Sequence, residues 1–256
     1  MPADDLKFLN KPSGCTPDHA IVLSAGKGLR MRPITDSTPK PMIQVGGRTL
    51  LDRSLDRLED SHVKKVVVNL HHLGEQIERH LGSRETPDII FSHEDELLET
   101  GGGVVKALPQ LGKAPFFVIN ADAMLLNGSE IALDRMKAAW DEDAMDGLLL
   151  LQSTVEAYGY RGQGDFWVDP SGLITRRPER EVSPYLFTGT QILHPRLFKG
   201  APKGAFSLNV LYDKAIEEKR LFGIVHDGEW FHIGTPDGLA EAETYVQTRY
   251  PGIRHR

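Results

Sequence analysis

The sequence predicts an α/β fold: a mixed, mostly parallel sheet flanked by helices on both faces, in three α/β/α layers. Three observations predict it. Short apolar runs without polar alternation recur, as at Ala20-Ile21-Val22-Leu23 and Phe116-Phe117-Val118-Ile119, the pattern of strands covered on both faces. Helical spacings fall between such runs, which is the alternation of βαβ units. The runs also stop at Ser24, Asn69, Glu94 and Asp122, polar residues at carboxyl ends of strands, where open parallel sheets hold their ligands.

Taken in order, residues 1–18 carry acidic residues and prolines but no apolar stretch long enough for a signal peptide, and are expected to be a loose tail. A strand over 20–23 leads into a Gly- and Arg-rich loop. Leucines at Leu50, Leu51, Leu55 and Leu58 give a helix one buried face. A strand over 63–70 follows, then a helix over 72–81 that Gly82 is expected to close by accepting a positive φ. Residues 88–91 read as a strand, 103–108 as a short helix opening behind glycines, and 116–120 as a strand ending at Ala121-Asp122. A helix over 129–140, with Ser129 as N-cap, precedes a strand at 148–151. Strands at 164–168, 173–175 and 185–193 and helices at 207–219 and 236–248 complete the pattern, Pro236 standing where its missing N–H costs nothing. The expected organisation is one domain over 19–250. Its core covers about 19–150, an interleaved second half about 151–235, and the last helix 236–248.

The 256 residues are 40% hydrophobic and 26% charged, which suits a soluble globular protein with a sizeable core. A net charge of −6 argues against a nucleic-acid or anionic-membrane surface. No window approaches a membrane-spanning length, and the mean hydropathy of −0.31 agrees. The single Cys15 excludes an intrachain disulfide and fits a reducing cytoplasm.

Positive charge is instead concentrated after the first strand. Gly26 and Gly28 let the backbone turn and bring N–H groups close to a phosphate, while Lys27, Arg30, Arg32 and Lys40 supply charge to the same loop. Arginine offers a planar fork and lysine a mobile point charge, so the two suit different phosphates of one nucleotide. The third glycine of GxGxxG is missing and no GxxxxGK[ST] occurs, which excludes two commoner phosphate loops. The glycines alone equally suit an ordinary tight strand-to-helix turn. Pro39 and Pro41 around Lys40 are expected to fix an extended backbone that presents the lysine rigidly. Asp122, at a buried strand end, offers a hard oxygen ligand of the kind magnesium takes together with substrate phosphates. None of the histidines at 71, 72, 80 and 93 forms a zinc spacing.

The stretch GKGLRMRPITDSTPKPM resembles the signature of the sugar-1-phosphate nucleotidyltransferases, and the likeness runs from about residue 20 to 246. The resemblance implies a Rossmann-like fold and the condensation of a nucleoside triphosphate with a sugar 1-phosphate, releasing pyrophosphate. It implies that Arg30 grips the triphosphate, Lys40 bridges the reacting phosphates and Asp122 binds Mg²⁺, with Mn²⁺ also possible. Ser24, Ala25, Gly26 and Gly28 match the nucleotide loop. Glu94, Thr100 and Gly101 lie where the family recognises the base, and the spelling ETGGG is like that of its muramate-phosphate uridylyltransferase branch. That branch implies UTP and N-acetylmuramate 1-phosphate, in peptidoglycan recycling. GTP with mannose 1-phosphate, and a non-catalytic sugar-nucleotide-binding protein, are the alternatives.

For the sugar, the resemblance implies Asn120, Asp165, Thr188 and Gly189, with Arg177 where relatives carry a lysine towards the sugar phosphate. An unattached surface role suits Arg177 equally. One position departs from the pattern: His232 stands where the family has a second metal-binding aspartate. A neutral imidazole suits Mn²⁺ or zinc better than Mg²⁺. Oligomeric state is not readable from the sequence.

Overall fold

In the computed structural model, which describes residues 16–250, the apolar runs become strands whose alternate residues feed two separate cores. Strand β1 (His19–Leu23) sends Ala20 and Val22 to one face of the sheet and Ile21 to the other. Strands β4 (Lys65–Leu70) and β6 (Phe116–Asn120) divide in the same way, with Val66, Val68, Phe117 and Ile119 on one face and Val67, Phe116 and Val118 on the other. Both faces are covered, so the middles of these strands are apolar and polar residues stand only near their ends. The first face is covered by α1 (Leu50–Asp60), α2 (Gly74–Leu81) and α4 (Ala132–Ala139), and the second by α3 (Glu99–Leu111) and α5 (Asn209–Glu217). Each fully buried Leu or Phe in these layers contributes roughly 1.5–3 kcal/mol of transfer free energy.

The main sheet runs β11–β10–β12–β6–β1–β4–β5, with β8 beside β12 and β13 beside β8. Here β5 is Asp88–His93, β8 Gly147–Ser153, β10 Phe166–Val168, β11 Ile174–Arg176, β12 Tyr185–Leu193 and β13 Leu221–Val225. Only β12 and β11 run against the rest, so the sheet is mixed and mostly parallel, as expected. Both halves of the sequence contribute to this one sheet. The register of β12 against β8 shifts between Phe187 and Gln191. That bulge carries Thr188 and Gly189 to the end of β6.

A second, three-stranded sheet holds the other side of the site: β7 (Ala123–Leu126), β14 (Glu229–His232) and β9 (Ala157–Tyr158). Two short strands, β2 (Gln44–Val45) and β3 (Arg48–Thr49), form a hairpin leading into α1. Helix α6 (Pro236–Arg249) packs Ala242 and Val246 against Met31, Ile43 and Val45 of the Arg-rich loop. The Gly46 N–H donates to Glu243 at 3.1 Å.

Several local expectations are corrected. Gly82 ends α2 at φ −62, a right-handed value; the left-handed residue is Leu73, φ 54, at the other end of the helix. Helix α3 begins at Glu99 and runs through Gly101–Gly103 instead of opening behind them. Ser129 does not cap α4: its N–H and hydroxyl donate to Asp227, and Asn127 Oδ1 receives the Ala132 N–H at 3.0 Å. Residues 1–15 of the expected tail, with Cys15, lie outside the described residues. Pro17 is buried and the Asp18 carbonyl accepts the Lys64 N–H at 2.8 Å.

Candidate active site

A cavity of about 510 Å³ opens at the carboxyl ends of β1, β4 and β6, the place an open parallel sheet reserves for a ligand. Its floor is a chain of hydrogen bonds tying the strand ends together. The Ser24 N–H donates to Asn69 Oδ1 at 2.6 Å, the Asn69 amide donates to Glu94 Oε1 at 2.7 Å, and Glu94 Oε2 accepts the Leu98 N–H at 2.9 Å. Asn69 thus fixes the start of the loop from below, and Glu94 fixes Asn69.

Above this floor the loop folds on itself. Gly28 is left-handed, φ 60, and a Cβ there would meet Thr35 Cγ2 at 2.9 Å and Lys40 Cβ at 3.1 Å, so only glycine fits. The Thr35 hydroxyl donates to the Gly28 carbonyl at 2.9 Å. His72 Nε2–H donates to the Thr35 carbonyl at 3.1 Å, which ties the entry of α2 to the loop. Ser24, Ala25, Gly26, Gly28, Arg30 and Lys40 all line the cavity. Lys27 does not, and Arg32 pairs with Asp36 at 3.0 Å. The expected extended setting of Lys40 is only half present: Pro39 is extended, but Lys40 starts a 3₁₀ turn, Lys40–Met42, closed by Met42 N–H to the Pro39 carbonyl at 2.8 Å. The turn still buries the lysine stem and presents its ammonium inward.

That ammonium lies 3.1 Å from Asp122 Oδ2. Asp122 follows Asn120 and Ala121 off the end of β6, all three on the cavity wall. Across the small sheet, His232 pairs in register with Ala123, next to Asp122. Its ring stacks on Trp230 at 5.8 Å, meets Tyr160 edge-on at 6.4 Å, and lies over Gly234, which lines the cavity. Burial holds the His232 pKa below the ordinary value; Asp122 pulls it up, and Lys40 and Arg30 push it further down. The imidazole is therefore neutral at neutral pH and able to accept a cation. No cluster of three or more His, Cys, Asp or Glu suited to a metal exists among the described residues. One half-buried carboxylate and one neutral imidazole fit a divalent cation held mostly by substrate oxygens.

At the far end of the cavity, Leu97, Glu99, Thr100 and Ser207 form the wall. Gly101 does not line it; its N–H donates to the Phe206 carbonyl at 2.8 Å. Glu94 lies beneath, 5% exposed, with both carboxylate oxygens engaged as described.

The residues expected to hold a sugar are more dispersed. Asn120 is on the cavity wall and Gly189, φ +87, packs against it. Buried Thr188 donates its hydroxyl to the Leu150 carbonyl at 2.8 Å, and its own carbonyl accepts Trp230 Nε1–H at 3.0 Å. Asp165 accepts the Phe187 N–H at 2.8 Å. The Arg177 guanidinium is occupied by the carbonyls of Gly164, Pro178 and Glu181. Asp165, Thr188, Gly189 and Arg177 are not on the cavity wall. Conversely, Ser207 lines it without having been singled out from sequence, and Glu99 lines it from within the ETGGG run that the resemblance pointed to. Ser207 is brought there by pairing between distant segments.

A model of the family described as Nucleotidyl transferase matches residues 19–249. The chain is 38% identical over 232 residues to N-acetylmuramate alpha-1-phosphate uridylyltransferase of Caulobacter vibrioides, covering 89% of this chain and 96% of that protein. It is 34% identical over 229 residues to the enzyme of the same name from Neisseria meningitidis serogroup B, covering 88% and 96%. A crystal structure of UDP-glucose pyrophosphorylase complexed with UDP-glucose has the same fold at a TM-score of 0.73, with 17% identity and 91% and 99% coverage.

Proposed function

Since the chain belongs to the nucleotidyl transferase family, we propose that it joins UTP to N-acetylmuramate 1-phosphate, giving UDP-N-acetylmuramate and pyrophosphate. The reaction class is carried by one observation above all: Arg30, Lys40 and Asp122 line one cavity at the end of β1 and β6. The substrate pair is supported by two uridylyltransferase relatives matched over nearly their whole length. Among the described residues no helix is long and apolar enough to cross a membrane. Both substrates are polar and phosphorylated, and we assign the reaction to the cytoplasm and to the reuse of cell-wall sugars.

Chemically, an oxygen of the sugar phosphate attacks the α-phosphorus, the bond from that phosphorus to the α–β bridging oxygen breaks, and pyrophosphate leaves. The attacking oxygen is already anionic, so the protein needs no general base. Its task is positioning and charge neutralisation. Backbone N–H groups around Gly26 and Gly28 hold phosphate oxygens, Arg30 neutralises the departing pyrophosphate, and Lys40 faces the α-phosphate and the sugar phosphate. Asp122 and His232 are the groups that would hold Mg²⁺ or Mn²⁺. Such an ion, when bound, adds positive charge against the reacting phosphates. Asn120, on the cavity wall, faces the sugar, and the Thr188–Gly189 bulge packs behind it. Asp165 and Arg177 act one step back, holding the Phe187 N–H and the Gly164 carbonyl.

The test is pyrophosphate release with UTP or GTP against N-acetylmuramate, N-acetylglucosamine, glucose and mannose 1-phosphates. Selective turnover of UTP with the muramate phosphate is expected. Turnover confined to GTP and mannose 1-phosphate refutes the substrate assignment, and silence with every pair under both metals refutes the activity.

A further inference from the structure

On the reading just given, we infer that Arg53 and Arg57 are positioning residues for the reaction: from one face of α1 they hold the backbones that carry Lys40 and Asp122. Both are buried, at 2% and 8% exposure, and they stand about one helical turn apart. Arg53 Nη2 donates to the Val45 carbonyl of β2 at 2.6 Å, and Arg57 Nη1 donates to the Leu125 carbonyl of β7 at 3.2 Å. Val45 follows soon after Lys40 in the chain, and Leu125 soon after Asp122. Helix α1 thus ties together, from behind, the two segments whose side chains meet at 3.1 Å in the cavity.

Two observations give the arginines this role beyond packing. Strand β2 belongs to a two-stranded hairpin and β7 is the edge of a three-stranded sheet, so neither is held by a ladder on both sides. The guanidinium groups supply the missing hold. The charges are also unfavourable where they stand. Neither arginine has an ion-pair partner among the described residues: Asp56, between them in sequence, is taken by Arg48 at 2.6 Å and Arg84 at 2.9 Å. The Arg53 Nε–H has no acceptor among the described residues. Burial, with the Arg53 charge adding to it, pulls the Arg57 pKa down to about 10, so the side chain stays charged at neutral pH against its surroundings. A buried cation without a counter-ion lowers stability, and a packed apolar side chain would not. When substrate phosphates enter, Lys40 exchanges Asp122 for them. The direct link between the two segments is then gone, and α1 keeps their spacing. A displacement of about 1 Å at reacting groups is enough to cost about 100-fold in rate.

Pyrophosphate release, equilibrium UTP binding and thermal unfolding together test this. Arg53→Met and Arg57→Met keep a buried stem and remove the fork. Each is expected to lower kcat about tenfold while leaving the UTP dissociation constant within about threefold of wild type. The melting temperature should stay within about 3 °C, since loss of the unpaired charge offsets loss of one hydrogen bond. Arg57→Lys, which still donates to the Leu125 carbonyl, should recover most of kcat. On a Lys40→Met background Arg57→Met is expected to add less than about threefold, because the two act through one contact. Full activity in both methionine variants, a loss that persists undiminished on Lys40→Met, or losses of kcat and UTP binding that only follow the melting temperature down, overturn the inference and leave the proposed reaction standing. A wild-type protein without turnover overturns both.

Discussion

Adding one methyl group at Gly103 should destabilise this protein although Gly103 lies inside a helix. In an exposed helix interior, Gly→Ala stabilises by about 1 kcal/mol. At Gly103 the new Cβ would stand 2.9 Å from Asn69 Nδ2 and 2.9 Å from Glu94 Oε1, the two atoms of the 2.7 Å hydrogen bond between them. Both must move by about half an ångström to reach ordinary contact. The methyl therefore overpacks a tight site, at about 1–3 kcal/mol. It also weakens a hydrogen bond to a buried carboxylate, a further 1.5–3 kcal/mol or so. The net loss expected for Gly103→Ala is about 2–4 kcal/mol after the helix-propensity gain. In a domain of this size that lowers the melting temperature by about 5–15 °C. Because Asn69 also holds the Ser24 N–H, UTP binding should weaken in step. Thermal unfolding with and without UTP measures both. Gly82→Ala is the control: φ there is −62 and a Cβ would have only ordinary contacts, 3.4 Å at the nearest, so it should be neutral or stabilising by up to about 1 kcal/mol. A Gly103→Ala protein as stable as the wild type would show that the Asn69–Glu94 link does not hold the strand ends.

Lys40→Met keeps the buried stem and removes the charge facing Asp122, so kcat should fall about 100- to 1000-fold while stability changes by less than about 1 kcal/mol, the Asp122 side chain being 41% exposed; turnover within threefold of wild type would discard the assigned role. His232→Asp should raise the apparent affinity for Mg²⁺ relative to Mn²⁺, read by metal titration of the UTP complex, and an unaltered preference would mean that the imidazole does not meet the ion. Burial, more than any neighbour, holds the His226 pKa below 6.5, and its Nδ1 has no partner among the described residues. Below about pH 6.5 the unfolded chain takes up a proton that the folded chain refuses, so stability should fall as the pH drops from there. In urea unfolding between pH 7.5 and 5.5 the slope should lessen in His226→Gln, and an identical slope would remove His226 from the account.

The parts of the fold legible in the sequence are those whose reasons are local. Apolar runs announced β1, β4, β6 and β8, and the leucine spacing announced α1. Strand β13 was missed because Gly223 interrupts it, and that glycine answers to a distant partner: a Cβ would stand 2.7 Å from Leu151 Cδ1. Strand β14 is four residues long and recognisable only against β7. The glycines of α3 look like helix breakers, yet a Cβ at Gly101 would stand 2.3 Å from the Phe206 ring and one at Gly102 would stand 2.3 Å from the Gly204 carbonyl oxygen. They are small to admit neighbours a hundred residues away. The same division holds in the site. Arg30, Lys40 and Asp122 come from segments whose chemistry shows in a few consecutive letters. Glu94 and Glu99 are alike as letters, and only burial and backbone conformation set them apart.

The hydrogen bond from the Gly46 N–H to Glu243 spans 197 residues of sequence, and its consequence concerns how the protein comes into being. The loop assigned to phosphate is translated well before its support on α6. A nascent chain halted after β12 would own Arg30 and Lys40 without the helix that steadies the loop bearing them. Competence to bind nucleotide should therefore arrive late and abruptly during synthesis, after most of the sheet has already formed.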